Sequence, residues 1–154
     1  MSELSTRRTA VITSLDDVQD RFAAFISDWK VRLPALRSWS FNLHVTTDPM
    51  PETAAYKARS GAYTEAWSKY EDATINLHLP DEISMTNEEI EELAVHELMH
   101  VLISPWNEAF KTAMGKALTE PMEDVILILE EQVCTRLACG FMRTKYPTHE
   151  EGVS

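Results

Sequence analysis

Within the stretch ELAVHELMHVLI, residues 91–102, His96, Glu97 and His100 have the types and spacing for metal-assisted hydrolysis. On a helix, residues four apart lie one above the other on one face. Two imidazoles so placed can direct ring nitrogens at one zinc ion, at about 2.0–2.1 Å. Glu97 is offset round the helix from His96. It can reach a water that the metal acidifies without being a ligand, and take its proton as general base. The competing reading is an amphipathic helix that carries two hydrogen-bonded histidines. Against it stand the neighbours: Val95, Leu98, Met99, Val101 and Leu102 are all uncharged, as a buried active-site helix requires.

Two histidines do not complete a catalytic zinc site, which needs a third protein ligand and one position left open. A metzincin would carry a glycine and a third histidine where this chain has Ile103 and Trp106. A peptide deformylase would place a cysteine ligand before the helix, whereas Cys134 and Cys139 both follow it. What remains is an acid from a later helix. The stretch ILEEQVCTRLA offers Glu130 and Glu131 among apolar residues, and a buried carboxylate needs a partner such as a metal. Glu131 shares its face with the small residues Cys134, Thr135 and Ala138, which let this helix approach the histidine helix. Glu130 shares its face with bulky Val133 and Leu137, which read as core. Glu131 is therefore the preferred third ligand and Glu130 the alternative. The glutamate not used is expected at the edge of the core, solvated or paired with Arg136.

The elements that must position these groups are legible from periodicity. Residues 14–32 read as an amphipathic helix, with Ser14 as N-cap, Asp16 and Asp17 in its first turn, and Pro34 closing it. SWSFNLHVT, residues 38–46, alternates as a half-buried strand with Trp39, Phe41, Leu43 and Val45 on one face. TDPMPET is a loop by its prolines. Residues 62–70 and 73–79 read as a strand pair turning at Glu71 and Asp72, the first arm having the weak alternation of an edge strand. Thr86 and Glu89 form a capping box that starts the histidine helix, expected to run to about Ile103. Ser104 and Pro105 suit the N-cap and first position of a separate helix over about 105–118. A last helix spans about 121–145, and 147–154 read as a frayed tail. The order of elements makes the fold α+β, one domain over 1–154.

Composition narrows the partners. Fourteen basic residues against 25 acidic ones give a net charge of −11, which argues against nucleic acid and against an anionic membrane surface. No apolar run is long enough to span a bilayer, and the N-terminus, with Arg7 and Arg8 followed by TAVITSLDDV, has no signal peptide. Cys134 and Cys139 are too far apart along one helix for a disulfide and are expected as buried reduced thiols. A cytoplasmic location is expected.

An HExxH helix followed by a glutamate with small and apolar residues after it resembles the gluzincins. The resemblance is to their minimal members, the small phage or prophage metallopeptidases and ImmA/IrrE-type peptidases. It covers roughly residues 38–140. In related membrane-embedded peptidases the ligand glutamate opens the pattern E-x-x-A-D-x-x-A. Laid on this chain, that pattern makes Glu131 the ligand and puts Cys134 and Ala138 at the small positions. Thr135 stands where an aspartate is usual, which removes the bond that aspartate would make to a ligand histidine. The resemblance implies a zincin-like fold, in which a small mixed sheet of about three strands packs on the active-site helix. It implies a zinc peptidase with His96, His100 and Glu131 as ligands, Glu97 as base, and a peptide or protein substrate. It also implies a substrate held along an edge strand, here at the backbone of Ala66, Trp67 and Ser68. Zincins use a Tyr, His or Arg to stabilise the oxyanion, and Tyr63, Tyr70, His78 and Tyr146 are the candidates. For His44 and His78, on polar strand faces, plain exposure is the favoured expectation. Trp106 and Phe110 are expected to fill core or line a shallow groove. A setting in phage–host biology is implied by analogy alone. The reading from a different class is a catalytically inert zinc-binding interaction module.

Overall fold

A computed structural model describes residues 10–48, 61–79 and 82–146. The expectations for the N-terminus before residue 10, for most of the proline-containing loop and for the tail 147–154 lie outside the described residues. The elements run β1 (Val11–Ile12), α1 (Leu15–Arg32), β2 (Ser40–Thr46), β3 (Ala62–Trp67), β4 (Asp72–His78), β5 (Met85–Thr86), α2 (Asn87–Met114) and α3 (Glu120–Lys145). The fold is mixed α+β, with three helices and two small sheets.

Local chemistry accounts for most boundaries. Ser14 caps α1, its hydroxyl accepting from the Asp17 amide. Thr86 and Glu89 form the reciprocal capping box that opens α2. Pro121 in the first turn of α3 costs no hydrogen bond, because that amide has no helical partner. Between β3 and β4 the chain turns through Glu71, whose φ of 49° is left-handed.

The larger sheet has the order β2-β4-β3, with β2 parallel and β3 antiparallel to β4. Ala73, Ile75 and Leu77 of the central strand point to one face and are buried. That face meets a core built from Phe22, Ile26 and Trp29 of α1 and from Ile90, Ala94, Leu98 and Met99 of α2. α2 packs against α1, α3 and β3, so it is the spine of the molecule. β1 and β5 form an antiparallel pair, Val11 opposite Thr86, which ties the chain before α1 to the start of α2.

Three expectations are corrected. First, no break occurs at Ser104 and Pro105: α2 continues to Met114 with Pro105 inside it. A proline there leaves the Val101 carbonyl without its helical donor. The Ser104 hydroxyl donates to that same carbonyl at 2.9 Å and repairs the loss. Second, the strand expected over 62–70 ends at Trp67. The Ser68 amide donates to Glu108 Oε1 at 3.1 Å, and Ser68 Oγ lies 3.0 Å from Ser104 Oγ. Its polar groups thus serve α2 instead of the sheet, and Ser68–Tyr70 form a single 3-10 turn. Third, Cys134 is buried but Cys139 is exposed; both are free thiols. Among the described residues, no helix is long and apolar enough to cross a membrane.

Candidate metal centre

Helical spacing stacks His96 and His100 on the face of α2 that meets α3, and α3 brings Glu131 opposite them. Ligand atoms of His96, His100 and Glu131 all lie within 4.8 Å of one another. The two Nε2 atoms are 3.2 Å apart. Glu131 Oε2 is 3.3 Å from His96 Nε2, and Glu131 Oε1 is 3.2 Å from His100 Nε2. Donors at about 2.0–2.1 Å from a tetrahedral ion are separated by about 3.3–3.4 Å. The histidine–histidine edge of this triangle is near that value, and each nitrogen meets a different oxygen of the Glu131 carboxylate at a similar distance. Two imidazole nitrogens and a carboxylate are, moreover, the donor set of catalytic zinc. Residues expected as ligands from sequence are thus brought together.

Glu130 does not behave as expected for the unused glutamate. It is neither solvated nor paired with Arg136: its Oε1 lies 2.9 Å from His100 Nδ1. Nor are its expected companions core, since Val133 is 45% exposed and Leu137 only partly buried. With Nδ1 held by Glu130, the other nitrogen of His100 faces the triangle. Glu130 thus holds the His100 ring from the side away from the triangle. Cys134, on the buried face of α3, also raises the proton affinity of the same imidazole.

Electrostatics follow from this packing. Burial opposes charge on His100, but the hydrogen bonds with Cys134, Glu130 and Glu131 outweigh it and raise its proton affinity. Burial also opposes ionisation of Glu131, and the two histidines overcome it, holding its pKa at about 2. Burial pushes the Cys134 thiol up.

Glu97 is 1% exposed, and burial raises its pKa against the pull of His100 and Thr64. The Thr64 hydroxyl, on the inward face of β3, donates to Glu97 Oε2 at 2.7 Å. Glu97 Oε1 has no hydrogen-bond partner among the described residues. A buried carboxylate oxygen without a donor is costly, and beside a cluster of ligand atoms it marks a place for a further group. Thr64 was not singled out from sequence, although its inward position in an alternating edge strand was the available signal.

A cleft of about 610 Å³ opens beside the triangle, between α2 and α3, and is lined by His96 and Glu131 together with Met85, Leu93, Arg136 and Cys139. Among the described residues β3 is an edge strand, with Ala66 and Trp67 in it, whereas Ser68 has left the sheet.

The four oxyanion candidates are not gathered at the triangle. Tyr146 donates to Glu91 Oε2 at 2.8 Å, and Tyr70 is 72% exposed. Tyr63 stacks on His78 with ring centroids 5.5 Å apart. Alternation places Tyr63 on the sheet face opposite to Thr64, hence away from Glu97. His78 Nδ1 lies 2.9 Å from the Asp48 carbonyl oxygen, so His78 is not simply exposed, while His44 is. Trp106 is exposed rather than core, stacked on Phe110.

Sequence reasoning also missed Glu91, 2% exposed, which accepts from Trp29 Nε1 (2.8 Å), Lys145 Nζ (2.6 Å) and Tyr146 Oη. Its place one residue beyond a buried isoleucine, Ile90, was the only sign that it turns inward.

No family model, curated protein or solved structure matches this chain. The case for a function therefore stands on the residues and their geometry.

Proposed function

We propose that this chain is a zinc-dependent peptidase of minimal gluzincin type, with His96, His100 and Glu131 as ligands and Glu97 as general base. The observation that carries the reading is the meeting of both histidine Nε2 atoms with the Glu131 carboxylate, one ligand atom from each residue lying within 4.8 Å of the others, beside the partnerless Oε1 of buried Glu97. A three-stranded mixed sheet whose edge strand lies against the histidine helix supports a zincin-like arrangement.

Zinc, when bound, acidifies water and polarises the substrate carbonyl. The chain's own residues do the rest. Glu97 takes the proton on Oε1, and burial makes it a stronger base than a solvated carboxylate. Thr64 fixes Oε2 and so aims the other oxygen. Glu130 fixes the tautomer and ring orientation of His100. The edge of the sheet at Ala66 and Trp67, which no other described strand pairs with, is suited to hold an extended peptide by strand addition.

One observation favours the second reading, an inert zinc-binding module: none of the four oxyanion candidates stands at the triangle. Cleavage of a peptide library by zinc-loaded wild type and Glu97→Gln, followed by mass spectrometry, separates the two. The peptidase reading expects cleavage by wild type, and zinc retention with a loss of about 10²–10⁴-fold in the variant. Equal cleavage by both proteins overturns Glu97 as base. A zinc-loaded wild type inert on every peptide leaves the module.

A further inference from the structure

α3 carries Glu131 but docks on one side only. It packs chiefly on α2, while Val125, Leu129 and Val133 stay exposed. Its buried residues are Cys134, Ala138 and Met142, two of them small. A seam of small side chains lets two helices approach closely but offers few large knobs to fix the rotation of one against the other. A rotation of about 100°, one residue on a helix, would exchange Glu131 for Glu130. The far end of α3 is held differently. Glu91 of α2 is 2% exposed, and both its carboxylate oxygens are engaged. Oε1 accepts from Trp29 Nε1 and Lys145 Nζ, and Oε2 from Tyr146 Oη. Lys145 Nζ also bonds Asp28 of α1 at 2.7 Å. It lies 5.3–5.7 Å from the ring centroids of Phe25, Trp29 and Tyr146, within cation–π range.

A buried charged hub with every partner in place favours one arrangement, because any slip leaves a desolvated charge unpaired. Lys145 is fourteen residues from Glu131, just under four turns. It therefore leaves α3 on nearly the same side as Glu131, about 21 Å along the axis. We infer that Glu91 and Lys145 are positioning residues for the metal centre: their contact fixes the rotation of α3 on α2, so that Glu131 rather than Glu130 turns to the pair of Nε2 atoms. Metal binding and the hub are then coupled, each favouring the other by the same factor. The same stance sets the width of the cleft, which Leu93 of α2 and Thr135 and Cys139 of α3 line. Only the coupling to zinc rests on the peptidase reading; the contacts of Glu130 and Glu131 with the histidines do not depend on it.

Lys145→Met tests this in the full chain, together with the milder Tyr146→Phe, which keeps the ring and removes one bond to Glu91. In the metal-free protein, the ring-nitrogen NMR signals of His96 and His100 report their contacts with Glu130 and Glu131. These signals should move in both variants and return toward their wild-type positions in Lys145→Arg, which keeps the cation. Zinc affinity should fall about tenfold in Lys145→Met and less in Tyr146→Phe. Conversely, zinc should slow exchange of the Trp29 indole proton that Glu91 holds. A role confined to stability would lower the melting temperature but leave the ring signals and the zinc affinity of the folded protein unchanged. That result in folded Tyr146→Phe and Lys145→Met overturns the proposal. A wild type that takes up no zinc removes the ligand reading, and the ring signals then decide the role of the hub by themselves.

Discussion

Glu130 Oε1 and His100 Nδ1 lie 2.9 Å apart, and on the far side of the same ring Nε2 lies 3.2 Å from both His96 Nε2 and Glu131 Oε1. One glutamate of an adjacent pair thus faces the triangle, and the other holds a histidine from behind. The helix achieves this with neighbours because His100 lies between them, presenting one nitrogen to each. Glu130→Ala should weaken zinc binding by about 10–100-fold. Glu130→Gln, whose side-chain oxygen still accepts from Nδ1–H, should recover part of it. Competition with a chromophoric chelator reads both values; equal affinity in all three proteins removes Glu130 from this role.

Thr64 ties the edge strand to Glu97, the proposed base. Its hydrogen bond favours the ionised form of Glu97, so Thr64→Val should raise the Glu97 pKa further. Glu97 acts as base only when ionised, so the acid limb of the pH–rate profile should move to higher pH in the variant. Losing the Thr64 donor to a buried carboxylate should also cost about 1–3 kcal/mol of stability. Rate profiles and urea denaturation of the two proteins measure these effects, and an unmoved acid limb would separate Thr64 from the base.

Far from the triangle, Lys145 joins three helices. Its Nζ donates to Glu91 of α2 and to Asp28 of α1, at 2.6 and 2.7 Å. Burial opposes the ammonium charge, yet the bonds to Asp28 and Glu91 raise its pKa. The Tyr146 pKa is raised as well, by burial and by its bond to Glu91. For both groups the folded state holds its proton more tightly than the unfolded chain. The resulting stability is complete below the ordinary pKa values of about 10 for tyrosine and about 10.4 for lysine. It is lost as pH rises above them. Lys145→Met should flatten this alkaline loss, visible as melting temperature against pH. At neutral pH it should cost about 3 kcal/mol, because Glu91 keeps a buried charge without its cation. Melting curves that run parallel through the alkaline range would contradict the assignment.

Elements with a strong local signal were the legible ones. The Ser14 cap, the alternation from Phe41 to Val45 and the Thr86–Glu89 box each state their structure within a few residues. The β1–β5 pair was not legible, since two-residue strands have no period to detect. Pro105 misled because its cost is met by Ser104, a neighbour that also looks like a cap. The role of Glu130 was hidden because α3 is apolar on its outer side too. Val133 and Leu137 could not be assigned to core or surface by size alone. His96, His100 and Glu97 were legible because one helix fixes their relation. Glu131 needed a guess about the approach of a second helix, which small residues happened to signal.

Pro105 gives a prediction of its own. Pro105→Ala would supply an amide for the Val101 carbonyl and relieve the ring's clash in mid-helix, so thermal unfolding should shift upward. In that background Ser104→Ala should cost less than it does with Pro105 present, because the carbonyl no longer depends on the hydroxyl. A double-mutant cycle read by urea denaturation measures the coupling. Additive costs would mean that Ser104 does not repair the helix.

The central claim is that His96, His100 and Glu131 hold one zinc ion. Zinc titration of the metal-stripped wild type, compared with His96→Ala, His100→Ala and Glu131→Ala, tests it most directly. The account predicts about one tightly bound equivalent in wild type and collapse of that affinity in each variant. A wild type that takes up no zinc, or a Glu131→Ala protein that binds it as tightly as wild type, would contradict it.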